Sequence, residues 1–169
     1  KHVRFSEFNF RETPENAGIG AMNFHHDAVS ADRFTRSPYM PCDWLCAIHY
    51  LTDVEPGTPA FCVVPQSNIY NTLQDAFDGL GTTYREVPIY APAGTCVLYD
   101  TAIFHTRLDG DGIRSRRTWH QYYARGGWLP TDTRYVRPPT PVLTNWNLFP
   151  ERLALHRDPK KRLFFSHWN

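Results

Sequence analysis

Residues 44–65 read WLCAIHYLTDVEPGTPAFCVVP. Two runs of aliphatic and aromatic residues flank Glu55-Pro56-Gly57-Thr58-Pro59, whose Pro and Gly mark a turn. Both runs are of strand length and are expected to pair as a hairpin across a long loop. The same pattern repeats on either side. Residues 3–10, VRFSEFNF, alternate as a half-buried strand whose apolar set is Val3, Phe5 and Phe8/Phe10. Ala21-Met22-Asn23-Phe24 reads as a short strand that runs into His25-His26-Asp27. Further strands are expected at 87–90, at 95–100 with its apolar run continuing to Phe104, and at 116–125. Only residues 69–80 space their apolar side chains helically, through Ile69, Leu73, Ala76, Phe77 and Leu80. A second short helix is expected at 150–156, followed by a solvated basic stretch at 157–162. Roughly seven to nine short strands with hairpin-like connections make the chain mainly β, a jelly-roll or double-stranded β-helix with a few short helices.

Composition agrees. Fourteen Pro, ten Gly and 15% aromatic residues in 169 disfavour long helices and favour short strands and turns. The length suits one domain over 1–169, with a barrel core at about 21–125 and an irregular extension at 126–169. A net charge of +1 offers no basis for a nucleic-acid partner. No apolar run approaches the roughly 20 residues that span a bilayer, so no membrane partner is expected. Cys42, Cys46, Cys62 and Cys96 sit in or beside apolar runs and read as buried, reduced thiols of a cytoplasmic protein. No second pair accompanies Cys42 and Cys46 to build a zinc knuckle. The chain starts Lys1-His2-Val3-Arg4, without Met, as at a fragment boundary.

Three side chains carry the chemistry. In a strand, residues two apart share a face, so His25 and Asp27 can converge on one ion while His26 points away. His105, at the end of the apolar run 97–104, is the best placed third ligand. Two imidazoles and one carboxylate suit ferrous iron and leave positions open for a bidentate oxoacid and dioxygen. Eleven residues beyond His105 stands Arg116, a guanidinium able to fork two hydrogen bonds onto a carboxylate. Arg117 and Arg114 lie close enough in sequence to compete for that role. Thr118, His120 and Tyr122 share strand parity with Arg116, and Trp44 and Tyr50 are further candidates for a pocket. His49, mid-strand, reads as a hydrogen-bonded core histidine.

The ordered set of His25-x-Asp27, YLTDVEPGTPAFCVVPQSN (50–68), GTCVLYDTAIFH (94–105) and Arg116 resembles the phytanoyl-CoA dioxygenase family. The likeness covers about residues 21–125. It implies a non-haem Fe(II), 2-oxoglutarate-dependent dioxygenase that hydroxylates a small molecule and releases succinate and CO2. It further implies His25, Asp27 and His105 as metal ligands, Arg116 as the anchor of 2-oxoglutarate, dioxygen as cosubstrate and ascorbate as a stimulant. The carboxylate of Asp27 separates the chain from halogenating relatives, which carry a small residue there. Two departures stand out. The hairpin ends Val64-Pro65-Gln66-Ser67-Asn68 where the family has a VVPGSH-like sequence, and only 24 residues precede His25 where the family carries a helical N-terminal portion. A non-catalytic jelly-roll binding module and, behind it, a zinc hydrolase are the rival readings.

Overall fold

The computed structural model describes residues 3–15, 23–27, 44–125 and 157–160. Strand β1 (Val3–Thr13) pairs with β7 (Arg116–Arg125), β7 with β2 (Trp44–Tyr50), and β2 with β5 (Cys96–Asp100), all antiparallel. A second sheet has the order β4 (Val87–Ile89), β3 (Phe61–Val63), β6 (His105–Arg107). The chain is thus mainly β, two facing antiparallel sheets in a jelly-roll, double-stranded β-helix arrangement.

The expected hairpin between β2 and β3 does not form. Both edges of β2 are taken, by β5 and β7, so β3 must find its partners in the other sheet. The ten residues between them make the crossing. Val54 and Ala91 exchange backbone hydrogen bonds of 2.9 Å, and Thr58 N–H closes a turn onto Glu55 O at 2.8 Å. That turn has Pro56 at its second position and Gly57 at φ 94° in its third, a conformation few side chains tolerate. The sheets meet over Cys46, Ile48 and Tyr50 of β2, Tyr99 of β5, Tyr122 of β7 and Phe61 of β3. Residues from both sheets in one buried cluster make this the core that fixes their relative placement.

β1 corrects a second expectation. Phe8 and Phe10 are not its buried set: Phe10 is 67% exposed and stacks on Trp119 of β7, ring centroids 5.7 Å apart, on the outer face of the large sheet. Thr13 is buried instead, and Arg11 reaches the phenol of buried Tyr122. The register pairs Phe10 with Trp119 and Arg11 with Thr118, and a register shift between Phe5 and Glu7 breaks the simple alternation.

The helix is shorter than expected, α1 (Leu73–Leu80), because Thr72 caps it. Thr72 Oγ1 accepts from Asp75 N–H at 3.0 Å and Asp75 Oδ2 accepts from Thr72 N–H at 3.1 Å, a reciprocal box that starts the helix there. Residues 67–69 form a separate 3₁₀ turn. Of the cysteines, Cys46 and Cys62 are buried and unpaired, but Cys96 is exposed on the outer face of β5. Cys42, the expected strand residues 21–22, the helix at 150–156 and most of the expected extension lie outside the described residues. Among the described residues no helix is long and apolar enough to cross a membrane.

Candidate metal centre

His105 does not end a long strand. The run that begins in β5 stops at Asp100, where Ala102 N–H donates to Asp100 Oδ1 at 3.1 Å and Ile103 N–H to Asp100 O at 3.0 Å. This aspartate-anchored turn carries the chain from the large sheet to the small one. His105 therefore opens β6 and is buried, rather than sitting at a solvent-facing strand end. Its approach is held from the side: Ser67 Oγ accepts from Phe104 N–H at 2.7 Å, and Val64 N–H donates to Phe104 O at 2.9 Å. Ser67 follows Gln66, whose φ of 65° puts a side-chain-bearing residue in left-handed backbone where the VVPGSH-like pattern has glycine.

His25 lies directly across from His105. Their backbones exchange hydrogen bonds of 3.0 and 2.8 Å, the antiparallel arrangement that sets two side chains on one face. Asp27, two residues on, is tied by its N–H to Thr101 O at 2.9 Å. The pairing gathers the three side chains, with one potential ligand atom from each within 4.8 Å of the others. Asp27 lies between the imidazoles, Oδ1 at 3.9 Å from His25 Nε2 and Oδ2 at 3.6 Å from His105 Nε2. His26 faces elsewhere, its ring edge-on to Phe104 at 5.1 Å, as strand parity requires.

The protonation pattern suits a cation. His25 Nδ1 donates to Asn23 O at 2.9 Å and His105 Nδ1 to Ile103 O at 2.8 Å. A carbonyl only accepts, so both Nδ1 atoms carry hydrogen, and each Nε2, the ring nitrogen that faces Asp27, is the atom a cation would bind in place of a proton. Burial pushes the Asp27 carboxyl upward, but hydrogen bonding to His105 and the charges of His105, His25 and Arg11 outweigh it. The net shift is downward, and Asp27 stays ionised. Phe61 and Tyr99 wall the His105 ring at 5.5 and 5.1 Å.

The other candidates divide by strand face. Arg116, Thr118, His120 and Tyr122 are all buried on the inner side of β7. Arg117 points outward to Glu12, Nε to Oε1 at 2.9 Å, and Arg114 pairs with Asp111 in the preceding loop at 2.6 Å. Arg116 is 6% exposed, and its Nε has no hydrogen-bond partner among the described residues. Burial pulls its pKa down to about 10; Tyr50 opposes this, while Arg107 and Arg11 add repulsion. Arg116 is still charged at neutral pH, and this buried cation has no acidic side chain beside it among the described residues. Tyr50 belongs to the core cluster and spends its hydroxyl on Ile89 O at 2.9 Å. Trp44 is buried at the other end of β2, where its carbonyl accepts from Thr101 N–H at 3.1 Å. His49 is on the outer face, bonded to Gln121 at 3.0 Å and beside Trp119, so it is hydrogen-bonded but not in the core.

Sequence reasoning missed Arg11. Although exposed, it lies on the same strand face as buried Thr13, donates to Tyr122 Oη at 3.2 Å and Asn9 Oδ1 at 2.8 Å, and its charge helps keep Asp27 ionised. The only signal was its parity, opposite to Phe10, and the apolar phenylalanines pointed to the wrong face.

Among solved structures that share this fold is AviO1 from Streptomyces viridochromogenes Tue57, with TM-score 0.58 and 19% identity over 76% of this chain and 53% of its own. HygX from Streptomyces hygroscopicus, with nickel, 2-oxoglutarate and hygromycin B bound, matches at TM-score 0.54 and 17% identity over 76% of this chain and 59% of its own. SnoK, a non-heme alpha ketoglutarate dependent carbocyclase from nogalamycin biosynthesis, matches at TM-score 0.55 and 17% identity over 72% and 49%. At such identities the likeness is one of fold, and the chain spans roughly half the length of these proteins. No family model and no curated protein matches the sequence.

Proposed function

We propose that this protein is an Fe(II)- and 2-oxoglutarate-dependent oxygenase that hydroxylates a small organic molecule. The observation that carries the reading is the pairing, inside one barrel, of a two-histidine, one-carboxylate cluster with a buried arginine that has no anionic partner among the described residues. The donor set fits a divalent iron: two imidazoles whose Nε2 atoms face the carboxylate, and one ionised carboxylate. The orphaned Nε of Arg116 fits the far carboxylate of a dicarboxylic 2-oxoacid. Two comparisons support the choice of cosubstrate and substrate size, since HygX binds 2-oxoglutarate and hygromycin B and SnoK depends on the same oxoacid. The finer assignment to the phytanoyl-CoA dioxygenase family rests on the four ordered motifs.

Fe(II) and 2-oxoglutarate bound here would supply dioxygen activation, one oxygen atom going to succinate as CO2 leaves and the other to a C–H bond of the substrate. The chain's own residues hold and orient. His25 and His105 are kept in one tautomer by Asn23 O and Ile103 O, so neither ring must reorganise when a cation arrives. Asp27 keeps a carboxylate in the set and leaves no vacated ligand position for a halide, which favours hydroxylation over halogenation. Arg116 gives the cosubstrate a single direction, its far end away from the ligand cluster. Phe61 and Tyr99 keep water from one side of His105.

The test is succinate release on incubation with Fe(II), 2-oxoglutarate, dioxygen and a metabolite extract. Turnover is expected from the native protein and its loss, by at least about 100-fold, from Asp27→Ala and His105→Ala. Turnover that survives either substitution refutes the ligand roles. Absence of a weak visible charge-transfer band on anaerobic addition of Fe(II) and 2-oxoglutarate to folded protein would favour a non-catalytic binding module.

A further inference from the structure

β7 places three polar side chains in line on its inner face: Arg116, Thr118 and His120, at successive inward positions. His120 is only 4% exposed. Its Nε2 lies 3.0 Å from Thr118 Oγ1, while its Nδ1 is buried and has no partner among the described residues. A core histidine that merely filled space would have both nitrogens bonded or one in solvent, because a buried polar atom without a partner is costly. The ring is also centrally placed. It senses Arg116 and Arg11 on one hand and Asp27 and His105 on the other, so it lies within electrostatic reach of both the anion anchor and the ligand cluster. On the inner face of β7 His120 stands between Arg116 and Tyr122, and Tyr122 packs in one cluster with Tyr99, whose ring lies 5.1 Å from that of His105.

We propose that His120 is a second binding residue for the 2-oxoacid, donating a hydrogen bond from Nδ1 to one of its carboxylate oxygens. The inference rests on the oxygenase reading and deepens it. Charge decides the direction of the proton. The Arg116 cation favours a Thr118 hydroxyl whose hydrogen points away from it, towards His120 Nε2, and a neutral ring that accepts there carries its hydrogen on Nδ1. Burial and the two arginines keep the ring neutral, pulling its pKa to about 3. Arg116 thus supplies charge at one end of the ligand, and His120 a neutral donor along its length.

The experiment is anaerobic calorimetric titration of 2-oxoglutarate into Fe(II)-loaded protein, with Fe(II) affinity measured in parallel. His120→Leu is expected to raise the 2-oxoglutarate Kd about 10- to 100-fold, the worth of one hydrogen bond to a charged group, and to leave Fe(II) affinity unchanged. His120→Asn, whose amide nitrogen takes the place of Nδ1, is expected to stay within a few-fold of native. His120→Gln, whose amide nitrogen takes the place of Nε2, is expected to behave like His120→Leu, which keeps the test open if the leucine variant fails to fold. Native affinity in His120→Leu or His120→Gln overturns the inference while the oxygenase reading stands. Equal losses in His120→Asn and His120→Gln overturn it too, as the mark of a packing role. If native Fe(II)-loaded protein does not bind 2-oxoglutarate at all, both fall together.

Discussion

The two faces of β7 invert the usual division of a sandwich strand. Its inner face carries Arg116, Thr118, His120 and Tyr122, all buried; its outer face carries Trp119, under the largely exposed ring of Phe10. Polar groups are normally buried only with partners, and aromatics left outside only at a cost. Arg116 and His120 each keep a buried nitrogen with no partner among the described residues, and no acid neutralises Arg116 among them. An interior built this way is unfinished as a core, and the dicarboxylate of the proposed function would complete it. The outer face also keeps one such atom, the neutral indole Nε1 of Trp119, but among the described residues it buries no cation. Trp119 packs under Phe10 and beside His49, and His49 bonds to Gln121.

The sharpest way to break this contrast uses two neighbours on opposite faces. Arg116→Met should weaken 2-oxoglutarate binding by about 30- to 5,000-fold, the roughly 2–5 kcal/mol lost when one partner of a buried charge pair is truncated. Arg117→Met should change it by less than about threefold, since Arg117 only meets Glu12 at the surface. Equal effects in a titration of both variants would end the argument from faces.

Acid stability offers a second probe of the inner face. His120 is neutral when folded, with its pKa lowered to about 3, and takes up a proton near pH 6.5 when unfolded. Its contribution to stability is therefore complete above pH 6.5 and lost progressively as the pH falls from there towards 3. The loss approaches about 1.4 kcal/mol per pH unit, with one more proton bound by the unfolded chain. Urea melts from pH 7 to 4 should show His120→Asn losing stability less steeply than native by about that slope. Asp27, whose pKa is lowered from 3.8, acts in a separate window further into acid. Parallel curves for the two proteins would refute the neutral, buried histidine.

On the outer face, Phe10→Ala should cost about 1 kcal/mol of stability through the lost stack on Trp119, with 2-oxoglutarate and Fe(II) affinities unchanged. A change in either affinity would show that the faces are not independent. The smallest effect concerns the loop that steadies His105. Gln66→Gly should stabilise the fold by up to about 1 kcal/mol in thermal melts, because it relieves a left-handed φ of 65°. Destabilisation would mean that the Gln66 side chain has a partner worth more than the strain.

Much of the site was legible because its logic is local. Strand parity alone put His25 and Asp27 on one side and His26 on the other, and parity again separated Arg116, Thr118, His120 and Tyr122 from Arg117. What misled was long-range pairing. The runs of 44–65 looked like a hairpin because they are adjacent in sequence, but β2 had already given both edges to β5 and β7. The apolar run up to Phe104 looked continuous, yet the Asp100 side chain bends it between sheets. Phe8 and Phe10 looked like core because hydrophobicity was the only guide, and Arg11 was missed for the same reason.

Sequence by itself determined the strand-rich class, the order of the ligand motifs and which residues share a face, since these follow from composition and the two-residue period of a strand. Tertiary structure alone decided that His25 and His105, eighty residues apart, exchange backbone hydrogen bonds, and that Arg11 reaches the hydroxyl of Tyr122. The reason is physical: alternation is a property of one backbone, whereas the pairing of distant strands, and hence which face becomes the inside, depends on which edges remain free when the sheets close.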